Sequence, residues 1–367
     1  IHYDYIRFTG STQGYNPTSV ARFNARYGLT GQPPSGSELF KQWRRDQVTA
    51  IVRKVYALVQ ASKPWVKVSG SFIGGTPSPT SSTREAFLKS SAYAAYSDWD
   101  SWIQEGIVDF AAPMTYFDIT TRQADYTNWL NFQRDRKGNR LMVPDAGVYL
   151  NYLSDAISMV QQTRNASPAG NYNHGFGVYS YQSPYAINKS TSSYGSWATF
   201  SSNLVSQVTP TWADVPQMPW KTSPTKGHIG GTLTTVAGEW ADGAIVTITG
   251  PDGRTMVSDG TGFYAFIDLD PGVYQIDVIF QGSEGHKTVT VTAGALANGD
   301  IQLVADTTAP VIRNVQVSQI TDGSAVVTWE TDDLTTSQVE YDLAPYYGLS
   351  TPHNPLQVTS HSVTLMG

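Results

Sequence analysis

The sequence predicts a multidomain chain: an α/β region forming part of a (β/α)8 TIM barrel, strands four to eight, followed by all-β sandwich domains. Three observations predict it. Strand-like and helix-like runs alternate five times over residues 1–208, at lengths that suit right-handed βαβ crossovers. Polar side chains collect at the ends of those strand runs, where a barrel keeps its chemistry. Beyond Lys226 helical periodicity vanishes, and short strands recur between Asp-Gly and Pro-Gly turns.

The first run, residues 1–8 (IHYDYIRF), is rich in strand formers and ends at the Gly10–Ser11 breaker. A polar segment, 9–35, carries the turn Tyr15–Asn16–Pro17. Ser35 and Glu38 fit a capping box for a helix in which Leu39, Phe40, Trp43, Val48, Val52, Tyr56 and Val59 recur at helical spacing, and Lys63–Pro64 stops it. The second strand is 66–72, followed by a Gly/Pro/Ser/Thr loop over 74–83 and a short helix over 97–105 that Gly106 ends. The third strand spans 107–116, with a helix over 124–137 closed by Gly138. The fourth spans 141–149, with a helix from Ser154 to about Arg164. The fifth is 176–181, and the last helix covers 197–208. Five units cannot close an eight-stranded barrel, so three would precede Ile1. A doubly wound open sheet is the alternative, and it fits less well because no Gly-rich phosphate loop follows any strand.

Residues 209–226, rich in Pro, Trp and Thr, read as a linker. A β-sandwich is expected over 227–305 and a further, partial sandwich over 306–367. The chain opens inside a strand without an initiator Met or signal peptide and closes on SVTLMG, so a piece of a longer polypeptide is expected.

At 367 residues the chain suits two or three domains, and 40% hydrophobic content supports real cores. A net charge of −6 leaves no basic footprint for nucleic acid. No run is long and apolar enough to span a bilayer. The absence of cysteine excludes disulfides and thiolate metal sites. Ten Trp and 21 Tyr beside only 15% charged residues make a composition common among extracellular carbohydrate-active proteins, and an extracellular or cell-surface location is expected.

The strand ends gather Asp4 and Arg7, Ser69 and Ser71, Met114, Tyr116 and Asp118, Tyr149 and Asn151, and Tyr179 and Tyr181. With parallel strands these share one rim, and aromatic faces with a few carboxylates suit sugar binding. Glycoside hydrolysis needs two carboxylates, about 5–5.5 Å apart for retention and about 6.5–9.5 Å for inversion. Asp4 and Asp118 are the catalytic candidates, with Asp145 as fallback. Arg7, Met114, Tyr116, Tyr149, Asn151 and Tyr181 are the candidates for substrate binding. The plainer alternatives are an Asp4–Arg7 pair and a solvated loop Asp118. Asp109 begins its strand, at the wrong end of a barrel, and is expected to cap or pair there. Trp43 reads as core, with Arg44 and Arg45 paired to carboxylates at the strand ends or solvated. The six His lack metal-ligand spacing, Ser71 lacks a G-x-S-x-G context, and the Asp-Gly pairs are turn chemistry, so no metal or cofactor is expected.

IHYDYIRF, WRRDQV (43–48), the Asp98–Trp99…Trp102…Gly106 run leading into VDFAAPMTY (108–116), and GVYSY (177–181) together resemble the C-terminal part of the glycosyl-hydrolase-like family 10, a group of (β/α)8 glycosidases. The resemblance covers about residues 1–208, without the family's first three strands. It implies a barrel acting on a polysaccharide or cell-wall glycan, places the family's strand Asp and Arg at Asp4 and Arg7, and places its Met and Tyr at Met114 and Tyr116. Residues 227–304 resemble a carboxypeptidase regulatory-like sandwich, through DGAIVTITG, SDGTGFYAF and LDPGVYQIDV. Residues 307–367 resemble the start of a fibronectin type III-like module. The expected function is an extracellular modular glycoside hydrolase using carboxylate acid/base catalysis. The rival is a non-catalytic surface or structural protein that binds glycans or self-associates, or whose barrel is completed by a missing N-terminal segment.

Overall fold

Parallel pairing in chain order sets the architecture. The computed structural model describes residues 1–342 and 348–366; residues 343–347 and Gly367, both within the module expected over 306–367, lie outside the described residues. Strands β1 (His2–Tyr3), β2 (Ser69–Ile73), β3 (Phe110–Thr115), β4 (Leu141–Met142), β5 (Asp145–Ala146) and β6 (Gly177–Val178) form one sheet in the order β1-β2-β3-β5-β6, with β4 also on β3. Every pairing is parallel. Strictly sequential neighbours make a piece of barrel wall, whereas a doubly wound sheet would reverse its order partway. The strands are shorter than the sequence runs. After β1, Tyr5 takes φ +52° and turns the chain out of the sheet. Within 141–149, Pro144 offers no N–H to a ladder, which splits the expected strand into β4 and β5.

The helices α1 (Pro17–Tyr27), α2 (Glu38–Ser62), α3 (Arg84–Phe87), α4 (Ser91–Ala94), α5 (Trp99–Glu105), α6 (Ile119–Arg136), α7 (Leu153–Thr163) and α8 (Trp197–Gln207) include three that the sequence reading did not assign. The first is α1, read above as polar loop. Asn16 accepts from Ser19 N, Pro17 fills the first turn and Gly28 (φ +62°) closes it. The others are the single turns α3 and α4. Ser37, not Ser35, caps α2, accepting from Phe40 N. Between helices and sheet, Phe72, Phe87, Trp99, Trp102, Trp129 and Phe132 are fully buried. Their indoles stay satisfied: Trp99 donates to Ile73 O (2.9 Å), Trp102 to Thr49 Oγ1 (2.8 Å) and Trp129 to Gly75 O (2.7 Å).

Arg44 and Arg45 correct the expectation of ion pairs or solvation. Arg44 is fully buried, donates to Ser11 O and Gln13 O, and lies 4.3 Å from the Tyr96 ring centre and 4.7 Å from that of Phe40. Arg45 stacks 3.7 Å over Tyr93. The ring faces, rather than carboxylates, receive these cations.

After β7 (Ala186–Asn188), β8 (Ser193–Tyr194) and α8, the segment read as a linker contains α9 (Pro219–Thr222). It is not a free tether. Trp220 Nε1 donates to Asp109 Oδ1 (2.7 Å), and Lys221 Nζ lies 3.3 Å from Asp109 Oδ2. Next come β9 (Gly227–Thr234), β10 (Ile245–Thr249), β11 (Arg254–Val257), β12 (Phe263–Leu269), β13 (Gly272–Phe280), β14 (Ser283–Val291), β15 (Leu296–Asn298), β16 (Ile301–Gln302) and β17 (Val304–Ala305). They make a sandwich of two sheets, β11-β10-β13-β14-β17 and β12-β9-β15 with β16 on β9. Both faces of β12 are used. Tyr264, Phe266 and Leu269 enter the sandwich core, while Phe263, Ala265 and Ile267 enter the core of the α/β region. Arg22–Asp242 (2.5 Å), Lys54–Asp259 (3.6 Å) and Arg140–Asp268 (2.6 Å) rim the contact. The last residues add β18 (Ile312–Ser318), β19 (Ser324–Ser337) and β22 (Asn354–Met366) as an antiparallel sheet, beside the pair β20 (Glu340–Tyr341) and β21 (Leu349–Ser350).

Candidate active site at the strand ends

Register decides which side chains meet. His2 pairs with Ser69, Ser69 with Phe110, Met114 with Asp145, and Asp145 with Gly177. Side chains two apart share a face, so Ser69 and Ser71 stand with His2: Nδ1 is 2.8 Å from Ser69 Oγ and Nε2 2.9 Å from Ser71 Oγ. Burial lowers the imidazole's pKa, so the ring is neutral at pH 7 and serves as a hydrogen-bonding wall.

Asp145 opens β5 half-buried, its carbonyl accepting from Thr115 Oγ1 (2.7 Å) and its carboxyl without a hydrogen-bond or ion-pair partner among the described residues. Loss of water raises its carboxyl to about 7. The carboxyl occupies space that only glycine leaves open, since a Cβ added at Gly177 would lie 1.7 Å from Asp145 Oδ1. Tyr116 follows β3. Burial raises its phenol pKa first, and the charges of Asp145, Tyr179, Tyr149 and Asp4 push it the same way. Tyr116 and Tyr179 stack with centroids 5.2 Å apart at 25°. Tyr149 meets Tyr116 edge-on at 6.1 Å and Tyr179 at 5.8 Å. The result is an aromatic-walled mouth, with Asp145 in register with Met114, two residues before Tyr116.

Residues 1–166 match the family described as Glycosyl hydrolase-like 10. Over 116 residues the chain is 30% identical to "Glycosyl hydrolase YngK" of Bacillus subtilis (strain 168), covering 30% of this chain. The chain therefore spans only 22% of that relative's length. Among solved structures, the Bacillus anthracis TIE protein shares 11% identity over 39% of this chain and 26% of its own, with a TM-score of 0.21. The Streptococcal ancillary pilin shares 13% over 40% and 51%, also at 0.21. Overlaps that slight carry no argument. The matched residues hold the parallel, chain-ordered sheet except β6, and the β-rich remainder follows.

Within residues 1–166, the stretch that matches this family, and at Tyr181 beyond it, the candidate residues divide. Asp4 is exposed, its Oδ1 accepting from Tyr5 N (2.7 Å), with no ion pair to Arg7 among the described residues. Arg7 instead places its guanidinium 4.2 Å over the Tyr5 ring. Met114 and Tyr149 line the mouth half-buried. Asp118 is neither free nor merely solvated. It caps α6 through Thr120 N and Oγ1 and pairs with Lys189 (2.6 Å). Burial would raise its pKa, but the hydrogen bonds from Lys189 and Thr120 outweigh that and hold it low, which unfits it to donate a proton at neutral pH. Asn151 is fully buried and spent on backbone, accepting from Ile119 N and donating to Phe117 O and Gly147 O, so it fastens loops and has nothing left for substrate. Tyr181 sits further out, 71% exposed, against Trp197. Asp109 lies at the opposite end of the sheet, fully buried and bonded to Tyr56, Val68 N and Trp220.

Sequence reasoning ranked Asp145 behind Asp118, gathered Tyr179 at the rim without naming it a binding candidate, and left His2 out. The available signals were Asp145 just after Pro144, and a glycine opening the neighbouring strand at Gly177.

Proposed function

We propose that this mouth is the active site of a glycoside hydrolase acting on a polysaccharide or cell-wall glycan, with Asp145 as the proton donor and Asp4 as the second carboxylate. The observation that carries the reading is Asp145 itself: an unpaired carboxyl raised to about 7 by its surroundings, beside a tyrosine phenol that also feels Asp4. A glycosidic oxygen needs a proton as its bond breaks, and a desolvated carboxyl holds one at neutral pH. Asp4, exposed to solvent, supplies the negative charge that attacks the anomeric carbon or takes a proton from water. Tyr116, Tyr149, Tyr179 and Met114 offer the apolar faces that sugar C–H surfaces pack on, and Arg7 the hydroxyl contacts. Asp118 stays with the helix it caps.

The β-modules would serve as appendages, the carboxypeptidase regulatory-like one over 227–305 and the fibronectin type III-like one over 306–367, in an extracellular or cell-surface setting. The aromatic-rich, sparsely charged composition supports that setting, and no helix among the described residues is long and apolar enough to cross a membrane.

The test is turnover of a glycan panel by the full chain and by Asp145→Asn and Asp4→Asn, which should each lose about 10³-fold or more in kcat. A panel turned over equally by all three would remove both carboxylates from catalysis.

A further inference from the structure

Beyond the carboxylates, the strand-end side of the α/β region carries the exposed rings of Tyr179, Tyr181 and Tyr194. Tyr181 follows β6, so it lies on the mouth side, and it is 71% exposed. It rests on Trp197 (centroids 5.1 Å), which rests on Phe200 (5.5 Å), and Phe200 is fully buried. Trp197 opens α8, the helix after β6, so its end also belongs to the mouth side. Tyr181 is thus a solvent-facing ring on a braced pedestal.

The other arm is the hairpin of β7 and β8. Ala186 N bonds Asn151 O (2.7 Å), and Lys189 in its turn holds Asp118. At its end Tyr194, 36% exposed, pairs with Ala186, the residue tied to Asn151 two positions after Tyr149. Tyr179, in the mouth itself, is 53% exposed. Rigid exposed rings on fixed supports lose little freedom on binding, which is how preorganised contacts add affinity.

We propose that Tyr194, Tyr179 and Tyr181 form a continuous binding lane across the mouth, and that the substrate is a linear polysaccharide held over several successive sugar rings rather than a mono- or disaccharide. Tyr181 on Trp197 and Tyr194 on its hairpin are the outlying platforms, and Tyr179 the central one. The inference rests on the glycosidase reading for where a sugar enters, but it concerns binding and not chemistry. A linear chain presents one apolar C–H face after another, and each ring that meets a platform adds its contact. Affinity then rises with chain length until the platforms are filled.

The experiment is calorimetric titration of the full chain, carrying Asp145→Asn to prevent turnover, with two- and six-unit members of the cello-, chito- and malto-oligosaccharide series. At least one series should bind at least tenfold more tightly as the hexamer than as the dimer. Tyr181→Ala, or independently Tyr194→Ala, should weaken that hexamer about three- to tenfold and leave the dimer unchanged. Equal affinity for dimer and hexamer in every series, no binding in any series, or equal weakening of both lengths by Tyr181→Ala overturns the lane. Length-dependent binding by a parent protein that hydrolyses none of these chains supports the lane and sinks the hydrolase reading. Hydrolysis with length-independent affinity does the reverse.

Discussion

Replacing Gly177 by alanine would push the carboxyl of Asp145 out of its place without replacing any ionisable residue. The Cβ so created would lie 1.7 Å from Asp145 Oδ1 and 2.9 Å from its Cγ. Ordinary contact begins near about 3.4 Å, so the carboxyl oxygen must retreat by about 1.5–2 Å. Gly177 is not among the residues with positive φ, so alanine suits its backbone and the fold should lose little. A misplacement of about 1 Å at a catalytic group can cost 10²-fold, so kcat/KM should fall at least about 10²-fold. The assay pairs initial rates on the glycan the parent turns over best with a thermal melt of the same preparation. A large loss of rate with a melting temperature within a few degrees of the parent supports the reasoning. Parental rates with a parental melt would refute it, because a displaced Asp145 would then be irrelevant to the reaction.

Other expectations separate scaffold from chemistry. Asp118→Ala should cost about 1 kcal/mol of stability by removing the α6 cap, read by denaturant unfolding, and leave kcat within a few-fold of the parent. Asp109→Asn strands the buried Lys221 ammonium, 4% exposed, and should destabilise by about 3–5 kcal/mol in a thermal melt. Phe263→Ala should cost a similar amount, about 3–5 kcal/mol, although Phe263 belongs to the sandwich, because its side chain fills the core of the α/β region.

Much of this fold was legible because burial imposes a period on sequence. The α/β alternation and the helix ending at Gly106 follow from apolar spacing and one left-handed glycine, with φ +82° at Gly106. What escaped was set by single atoms or by tertiary partners. The cap-and-proline start of α1 was legible in principle at Asn16–Pro17, but the polar composition of 9–35 hid it. The burial of Arg44 depends on Phe8, Tyr15, Phe40 and Tyr96 arriving from separate segments, which no local pattern encodes. The site behaved likewise. The strand-end rule gathers Asp4, Met114, Tyr116 and Tyr149 at one rim, but it treats every carboxylate alike. Asp118 meets a lysine and a helix start, whereas the Asp145 carboxyl lies against Gly177 without an ion-pair partner among the described residues, and that contrast exists only in three dimensions.

Asp145 must be protonated to act as proposed, and its folded-state carboxyl titrates near 7, well above the ordinary value of 3.8. Ionised, it destabilises the fold, so from about pH 4 to 7 Asp145→Asn should gain stability relative to the parent as pH rises. The most direct measurement is the pH profile of kcat/KM for the parent and for Asp145→Asn. The parent should lose activity about tenfold per pH unit above about 7, and the residual activity of Asp145→Asn should show no such limb. The same alkaline limb in both proteins would assign the proton to another group and contradict the account.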